Sequence, residues 1–155
     1  MPIPKKLLGH LDKNKIKYEI LKHKTVFTAY DLAQTTKRKL QEIAKTLLVK
    51  ADKKYYLVTI PAHYKLDFGK VKKMLKAKKV DIAKEKEMQT KFNVKPGAMT
   101  PFGTIHKAEV LIDKTLLKAK EMIFSAGSFT ESLRMKVKDY MKAENPQTGD
   151  LGKKK

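Results

Sequence analysis

Two strand-forming runs only four residues apart constrain this chain more than anything else in it. Ile43-Ala44-Lys45-Thr46-Leu47-Leu48-Val49-Lys50 and Tyr55-Tyr56-Leu57-Val58-Thr59-Ile60 are rich in β-formers, and Ala51-Asp52-Lys53-Lys54 separates them, so the pair reads as an antiparallel hairpin. Pro61 ends the second strand because it has no N–H for a ladder. Alternation puts Ala44, Thr46 and Leu48 on one face of the first strand and Ile43, Lys45, Leu47 and Val49 on the other. Lys45 thus shares a face with three large apolar side chains, where a lysine must snorkel to solvent, find a partner, or face a polar cavity.

The rest of the chain supplies helices before and between strands. Leu7, Leu8 and Leu11 have helical spacing within Lys5 to Asn14, and Lys17 to Leu21 alternates like a short strand. Thr28 followed by Asp31 is an N-cap with an acid in the first turn, which predicts a short helix through Ala33. Asp67 caps a second helix through Lys76, with Val71, Met74 and Leu75 inward, and Ala83 to Asn93 reads as another, more polar one. Lys95-Pro96-Gly97-Ala98-Met99-Thr100-Pro101-Phe102-Gly103 is a loop by its prolines and glycines. Three strands are expected at Ala108 to Ile112, Glu121 to Ser125 and Ser132 to Val137, then a closing helix from Val137 to Ala143. This order predicts an α+β fold: a curved mixed, mostly antiparallel, barrel-like sheet flanked by helices. Residues 1–143 are expected to form one domain, and residues 144–155, polar and ending in three lysines, a disordered basic tail.

Composition removes several function classes. The chain has no cysteine, which excludes disulfides, thiolate zinc sites, iron–sulfur clusters and a thiol nucleophile. His10, His23, His63 and His106 never take the spacing of a helical metal pair, so neither a metal nor a cofactor is expected. No apolar run approaches the roughly 20 residues that cross a bilayer, and no signal-peptide stretch follows Met1, so the expected location is cytoplasmic with no membrane partner. Asp67-Phe68-Gly69 spells a kinase metal-binding triplet without the other kinase motifs, Gly69-Lys70 lacks a phosphate-loop context, and no serine occupies a Gly-x-Ser-x-Gly elbow. Thirty-six Lys and Arg against 16 Asp and Glu give a net charge of +20, which draws polyanions. Only Arg38 and Arg134 are arginines, so the excess reads either as selection for RNA or as a compositional habit. The densest patch, Lys70, Lys72, Lys73, Lys76, Lys78 and Lys79, reads as a solvated helix face or an RNA contact.

Taken in order, these residues resemble the YbaK/prolyl-tRNA synthetase-associated editing family from about Tyr18 to Ala143. The resemblance rests on His23 with Thr28-Ala29, Ala44-Lys45-Thr46-Leu47-Leu48-Val49, Pro61, Leu66-Asp67, Gly97-Ala98-Met99-Thr100-Pro101-Phe102-Gly103, Ile112-Asp113 and Ser125-Ala126-Gly127. It implies hydrolysis, without metal or cofactor, of the ester joining an amino acid to the terminal ribose of a mischarged tRNA, tRNA(Pro) foremost. The partners it implies are the acceptor end of aminoacyl-tRNA and prolyl-tRNA synthetase. It assigns Lys45 to hold the terminal nucleotide or aminoacyl group, and Gly97 to place the carbonyl or the water through its backbone. Thr46, Thr100, Ser125, Gly127 and Ser132 are implied substrate contacts, and Phe27 and Tyr30 are candidates for lining the pocket or stacking a base. One departure bears on specificity. Ser132 stands where cysteine-specific members carry Asp, and no histidine follows His106, whereas alanine-specific members have one late in the chain. The amino acid removed is left open, and a non-catalytic module that binds tRNA or a synthetase is the competing reading.

Overall fold

The computed structural model describes residues 3–93 and 99–154. It begins with helix α1 (Lys5–Lys13), which buries Leu7 and Leu11 as their spacing requires. Strand β1 (Glu19–Lys22) and helix α2 (Ala29–Thr36) follow. The Thr28 hydroxyl accepts the Asp31 N–H at 3.0 Å, satisfying one of the donors that a helix start leaves unpaired. Strands β2 (Ile43–Ala51) and β3 (Lys54–Pro61) form the expected hairpin, in register from Ala44↔Pro61 to Ala51↔Lys54. After β4 (Tyr64–Leu66), Asp67 caps α3 (Phe68–Leu75) by accepting the Lys70 N–H at 3.1 Å. Then come β5 (Val80–Ile82), α4 (Glu85–Phe92), α5 (Gly103–His106), β6 (Glu109–Asp113), β7 (Glu121–Ser125), β8 (Glu131–Lys136), α6 (Val137–Glu144), β9 (Gln147–Gly149) and β10 (Gly152–Lys154).

The main sheet runs β1-β8-β7-β2-β3-β6-β9, with β5 added to β2, and β4 pairs separately with β10. The β2–β7, β3–β6 and β6–β9 pairs are parallel and the others antiparallel, the mixed and mostly antiparallel architecture the pattern predicts. Alternate residues of β2 feed different cores. Ala44 and Leu48 join Leu57, Phe102, Phe124 and Tyr140, whereas Val49 and Ala51 join Val58, Ile60, Val71 and Leu151. Ile43 packs with Val26, Leu32 and Ile123 beneath α2. Among the described residues no helix is long and apolar enough to cross a membrane.

The C-terminal segment corrects the expectation of a disordered tail. Strand β9 pairs with β6 and β10 pairs with β4, and Leu151 between them is fully buried. The buried Asp113 carboxylate holds the turn: Oδ1 accepts the N–H groups of Leu151 at 2.8 Å and Gly152 at 3.2 Å, and Oδ2 accepts that of Thr115 at 3.1 Å. A buried carboxylate is stable only when its acceptor sites are filled, and here the chain end fills them. One leucine and backbone bonds order the segment, and composition sees neither.

Candidate functional site

The site begins at an interruption in the sheet. Pairing of β2 with β7 stops at Ala44↔Phe124, and pairing with β5 starts only at Val49↔Ile82. Among the described residues, 45–47 have ladder partners only on β3, and no described strand pairs with the opposite edge of β2 there. The Ile43 C=O accepts from Ala62 N–H on the β3 side, while the Leu48 C=O accepts from Ala83 N–H on the other side. Alternation along the strand then aims the N–H and C=O of Thr46 into the opening.

A cavity of about 210 Å³ fills this opening. Its walls are Phe27, Thr28, Ala29 and Leu32 at the start of α2, residues 44–47 of β2, Met99, and Ser125 at the end of β7. Side chains of opposite parity, Lys45 and Thr46, both line it because it opens on the strand edge rather than on one face. Met99 is held there by the segment that follows it. Phe102 is buried against Phe124 and Tyr140, with ring centroids 5.5 and 5.4 Å away. The Tyr140 hydroxyl donates to the Pro101 C=O at 2.6 Å, and the Thr100 hydroxyl accepts the Phe102 N–H at 3.2 Å.

Of the residues singled out from the sequence, Lys45, Thr46, Ser125 and Phe27 meet at this cavity. Phe27 is 62% exposed and rests on the Phe129 ring, with centroids 5.0 Å apart. Its face is thus open to a stacking partner. Thr46 Oγ1 lies 3.2 Å from Thr59 Oγ1, which provides for a fully buried hydroxyl on β3. Tyr30, Thr100, Gly127 and Ser132 are not on the cavity wall. Tyr30 sits on the exposed side of α2, where its oxygen accepts from Gln34. Thr100 is buried beside His106, with Oγ1 3.2 Å from Nε2. Gly127 has φ +80°, and a Cβ there would meet Pro4 at 2.9 Å, so backbone geometry and packing require its glycine. Gly97 lies outside the described residues.

Ser132 stands one layer behind the wall, as the cross-strand neighbour of Ser125. Its hydroxyl is 2.9 Å from His23 Nε2, and His23 Nδ1 is 2.7 Å from the Lys24 C=O. A carbonyl only accepts, so Nδ1–H donates to it, and Nε2 is left facing the Ser132 hydroxyl. This has the composition of a nucleophile and its base, but Ser132 is only 1% exposed and no substrate carbon can reach it. The pair joins residues 109 positions apart, and nothing local in the sequence announces it. Among the described residues no three His, Asp or Glu side chains gather as metal ligands.

Electrostatically the site is positive. Burial, and then the charges of Lys154 and Lys45, lower the His63 pKa, so that ring is neutral at pH 7. The described wall of the cavity carries an ammonium, a strand-edge amide and carbonyl, the hydroxyls of Thr28, Thr46 and Ser125, and an aromatic face. Among the described residues that line it there is no accessible nucleophile–base pair.

The model of the aminoacyl-tRNA editing domain matches residues 23–143. A proline–tRNA ligase of Macrococcus caseolyticus is 31% identical over 102 residues, covering 66% of this chain but only 18% of the ligase. The prolyl-tRNA editing protein ProX of Acetoanaerobium sticklandii is 26% identical over 117 residues, 72% of this chain and 71% of that protein. Among solved structures, a hypothetical protein superposes with a TM-score of 0.89 at 19% identity, covering 96% of this chain and 100% of the other. A protein described as a candidate trans-editing enzyme for prolyl tRNA synthetase superposes with a TM-score of 0.83 at 22% identity, covering 96% and 95%. At these identities the two superpositions speak for the fold.

Proposed function

Since the chain belongs to the aminoacyl-tRNA editing domain family, we propose that it is a trans-acting deacylase that hydrolyses the ester of a mischarged tRNA, tRNA(Pro) foremost. The observation that carries this reading is the placement of Lys45 and Thr46 between the β7 and β5 pairings of β2, in a cavity of about 210 Å³. That volume falls below the roughly 300 Å³ at which ordinary small-molecule sites begin, and suits an aminoacyl group with the rest of the tRNA outside.

In this reading the Lys45 ammonium holds the terminal nucleotide or the aminoacyl group, and Phe27 stacks the terminal base. The backbone of Thr46 and of Gly97 orients the ester carbonyl and the water, with Ser125 completing the wall. A ribose hydroxyl of the substrate helps activate the water. Water oxygen bonds to the carbonyl carbon, the bond to the ribose oxygen breaks, and that oxygen takes up a proton. The products are free amino acid and uncharged tRNA. Positioning and fixed dipoles can remove several kcal/mol of barrier without a titrating side chain, so the reaction needs no metal and no cofactor. The enzyme acts in the cytoplasm on the acceptor end, downstream of prolyl-tRNA synthetase.

The test is single-turnover deacylation of Ala-, Cys- and Ser-tRNA(Pro) and a wider panel by the wild type and Lys45→Ala. At least one substrate should be cleared, and the folded variant should lose that activity. Buffer-level hydrolysis across the panel, or wild-type turnover by the variant, would refute the proposal.

A further inference from the structure

One polar side chain in the core has no role in holding the fold. Thr59 sits in the middle of β3, between β2 and β6, with Thr46 and Ile112 as its register partners. It is fully buried, as are Leu57, Val58 and Ile60 beside it. A valine would keep the β-branched shape and pack there without a polar atom. A hydroxyl at that depth costs stability unless its proton reaches an acceptor. Among the described residues the Thr59 hydroxyl has one partner, Thr46 Oγ1 at 3.2 Å.

The two hydroxyls are not equivalent, and the difference sets the direction of the bond. Thr59 is shut off from water, so its proton goes to Thr46 Oγ1. Thr46 is half-buried and lines the cavity, where its own proton can meet water or a ligand. The arrangement that satisfies both groups has Thr59 donating and Thr46 accepting. A reversed bond would strand the Thr59 proton in the core as an unmet donor. With its oxygen engaged on the core side, the Thr46 hydroxyl presents its proton to the cavity. Three donors then stand on two adjacent residues of the wall: the Lys45 ammonium, the Thr46 N–H and the Thr46 O–H. Such a group suits an oxygen that gains negative charge.

We propose that Thr59 is a positioning residue for deacylation: by donating to Thr46 Oγ1 it fixes the Thr46 hydroxyl as a donor to the carbonyl oxygen of the aminoacyl ester. As water adds to the carbonyl carbon that oxygen becomes negative, so a donor already aimed at it acts on the chemical step. The inference rests on the deacylase reading for its substrate, and the bond itself is tested without hydrolysis. Urea unfolding is measured for Thr46→Val, Thr59→Val and the double variant. Thr46→Val leaves the buried Thr59 donor unmet and should lower the unfolding midpoint. Thr59→Val leaves a hydroxyl that cavity water can serve and should cost little. The double variant should regain most of what Thr46→Val loses. Equal losses from the two single variants, or losses that add in the double, would overturn the assignment. Single-turnover deacylation of a substrate that the wild type clears, with enzyme concentration varied, then separates binding from chemistry. Thr59→Val should slow the saturating rate by about three- to tenfold, since an unfixed hydroxyl has three staggered positions and competing water partners. Half-saturation should change by less than about twofold. Thr59→Ser should bring the rate back to within about twofold, because serine carries the same donor. In a Thr46→Val background, Thr59→Val should slow the reaction no further. A wild-type rate in Thr59→Val, or a loss that persists in the Thr46→Val background, would overturn the positioning role. The expected unfolding pattern alongside an inactive deacylation panel would keep Thr59 as the residue that aims the Thr46 hydroxyl into the cavity and remove the deacylase reading instead.

Discussion

Acidification from pH 7 to pH 4 should cost this protein stability through His106. Burial, reinforced by the charge of Lys6 and opposed by Glu144, lowers the His106 pKa from 6.5 to about 4. In the unfolded chain the ring returns to its ordinary value. Between pH 6.5 and about 4 the unfolded state therefore binds a proton that the folded state refuses, so stability rises with pH across this window and is lost as pH falls through it. At about 1.36 kcal/mol per pH unit the full window is worth on the order of 3 kcal/mol, reduced to roughly 2–3 by solvent reaching the ring. For a chain of this length that is roughly 5–10 °C in Tm. Urea unfolding of the wild type and of His106→Gln at pH 7, 5.5 and 4 isolates the contribution, because carboxylate titration and the His10–Glu144 pair, with Nε2 2.9 Å from Oε2, are common to both proteins. Glutamine keeps a polar group within reach of the Thr100 hydroxyl but does not titrate. The stability gap should shift by about 2–3 kcal/mol in favour of the variant on acidification, and a gap constant across pH would refute the reasoning.

Gly103→Ala should lower Tm by on the order of 5–10 °C, because a Cβ there would stand 2.2 Å from the Ala108 carbonyl oxygen and 2.5 Å from Val110 Cγ2. A thermal melt within about 2 °C of wild type would show that α5 shifts at no cost. Leu151→Ala should cost about 2–5 kcal/mol in chemical denaturation, since the side chain is fully buried. A loss below about 1 kcal/mol would mean that the C-terminal strands contribute nothing. Ser132→Asp places a carboxylate against His23 directly behind Ser125 and should change the amino-acid preference in the deacylation panel. An unchanged profile would separate Ser132 from specificity.

What was legible in the sequence is what local chemistry determines. The β2–β3 hairpin follows from strand formers flanking a four-residue turn, and Thr28 and Asp67 mark helix starts because a cap bonds three residues ahead. Lys45 was legible as an anomaly, one charge in an apolar strand, and it does lie at a cavity. Strands β4, β5, β9 and β10 are three residues each, too short to carry a period, and exist because a partner is already in place. The folding of residues 147–154 depends on Asp113, 38 residues before Leu151. Thr100 and Gly127 read as candidate contacts, yet both serve the backbone, one through a buried hydroxyl and the other through a positive φ. The His23–Ser132 bond and the gap between the β7 and β5 pairings along β2 arise only when the strand order is known.

The strand order also dictates when the molecule can assemble. Strand β1 closes the sheet on β8, across the 115 residues between Glu19 and Arg134. The parallel β2–β7 and β3–β6 pairs likewise wait for the second half of the chain. The hairpin can form early, but its apolar faces then stay uncovered while the remaining strands arrive, and topologies so dominated by distant contacts fold in milliseconds to seconds. During that wait an exposed strand edge invites pairing with another chain. Lys50, Lys53 and Lys54 at the hairpin turn and a net charge of +20 oppose such encounters. The lysine excess thus protects the half-formed chain from aggregation before it can serve the folded one.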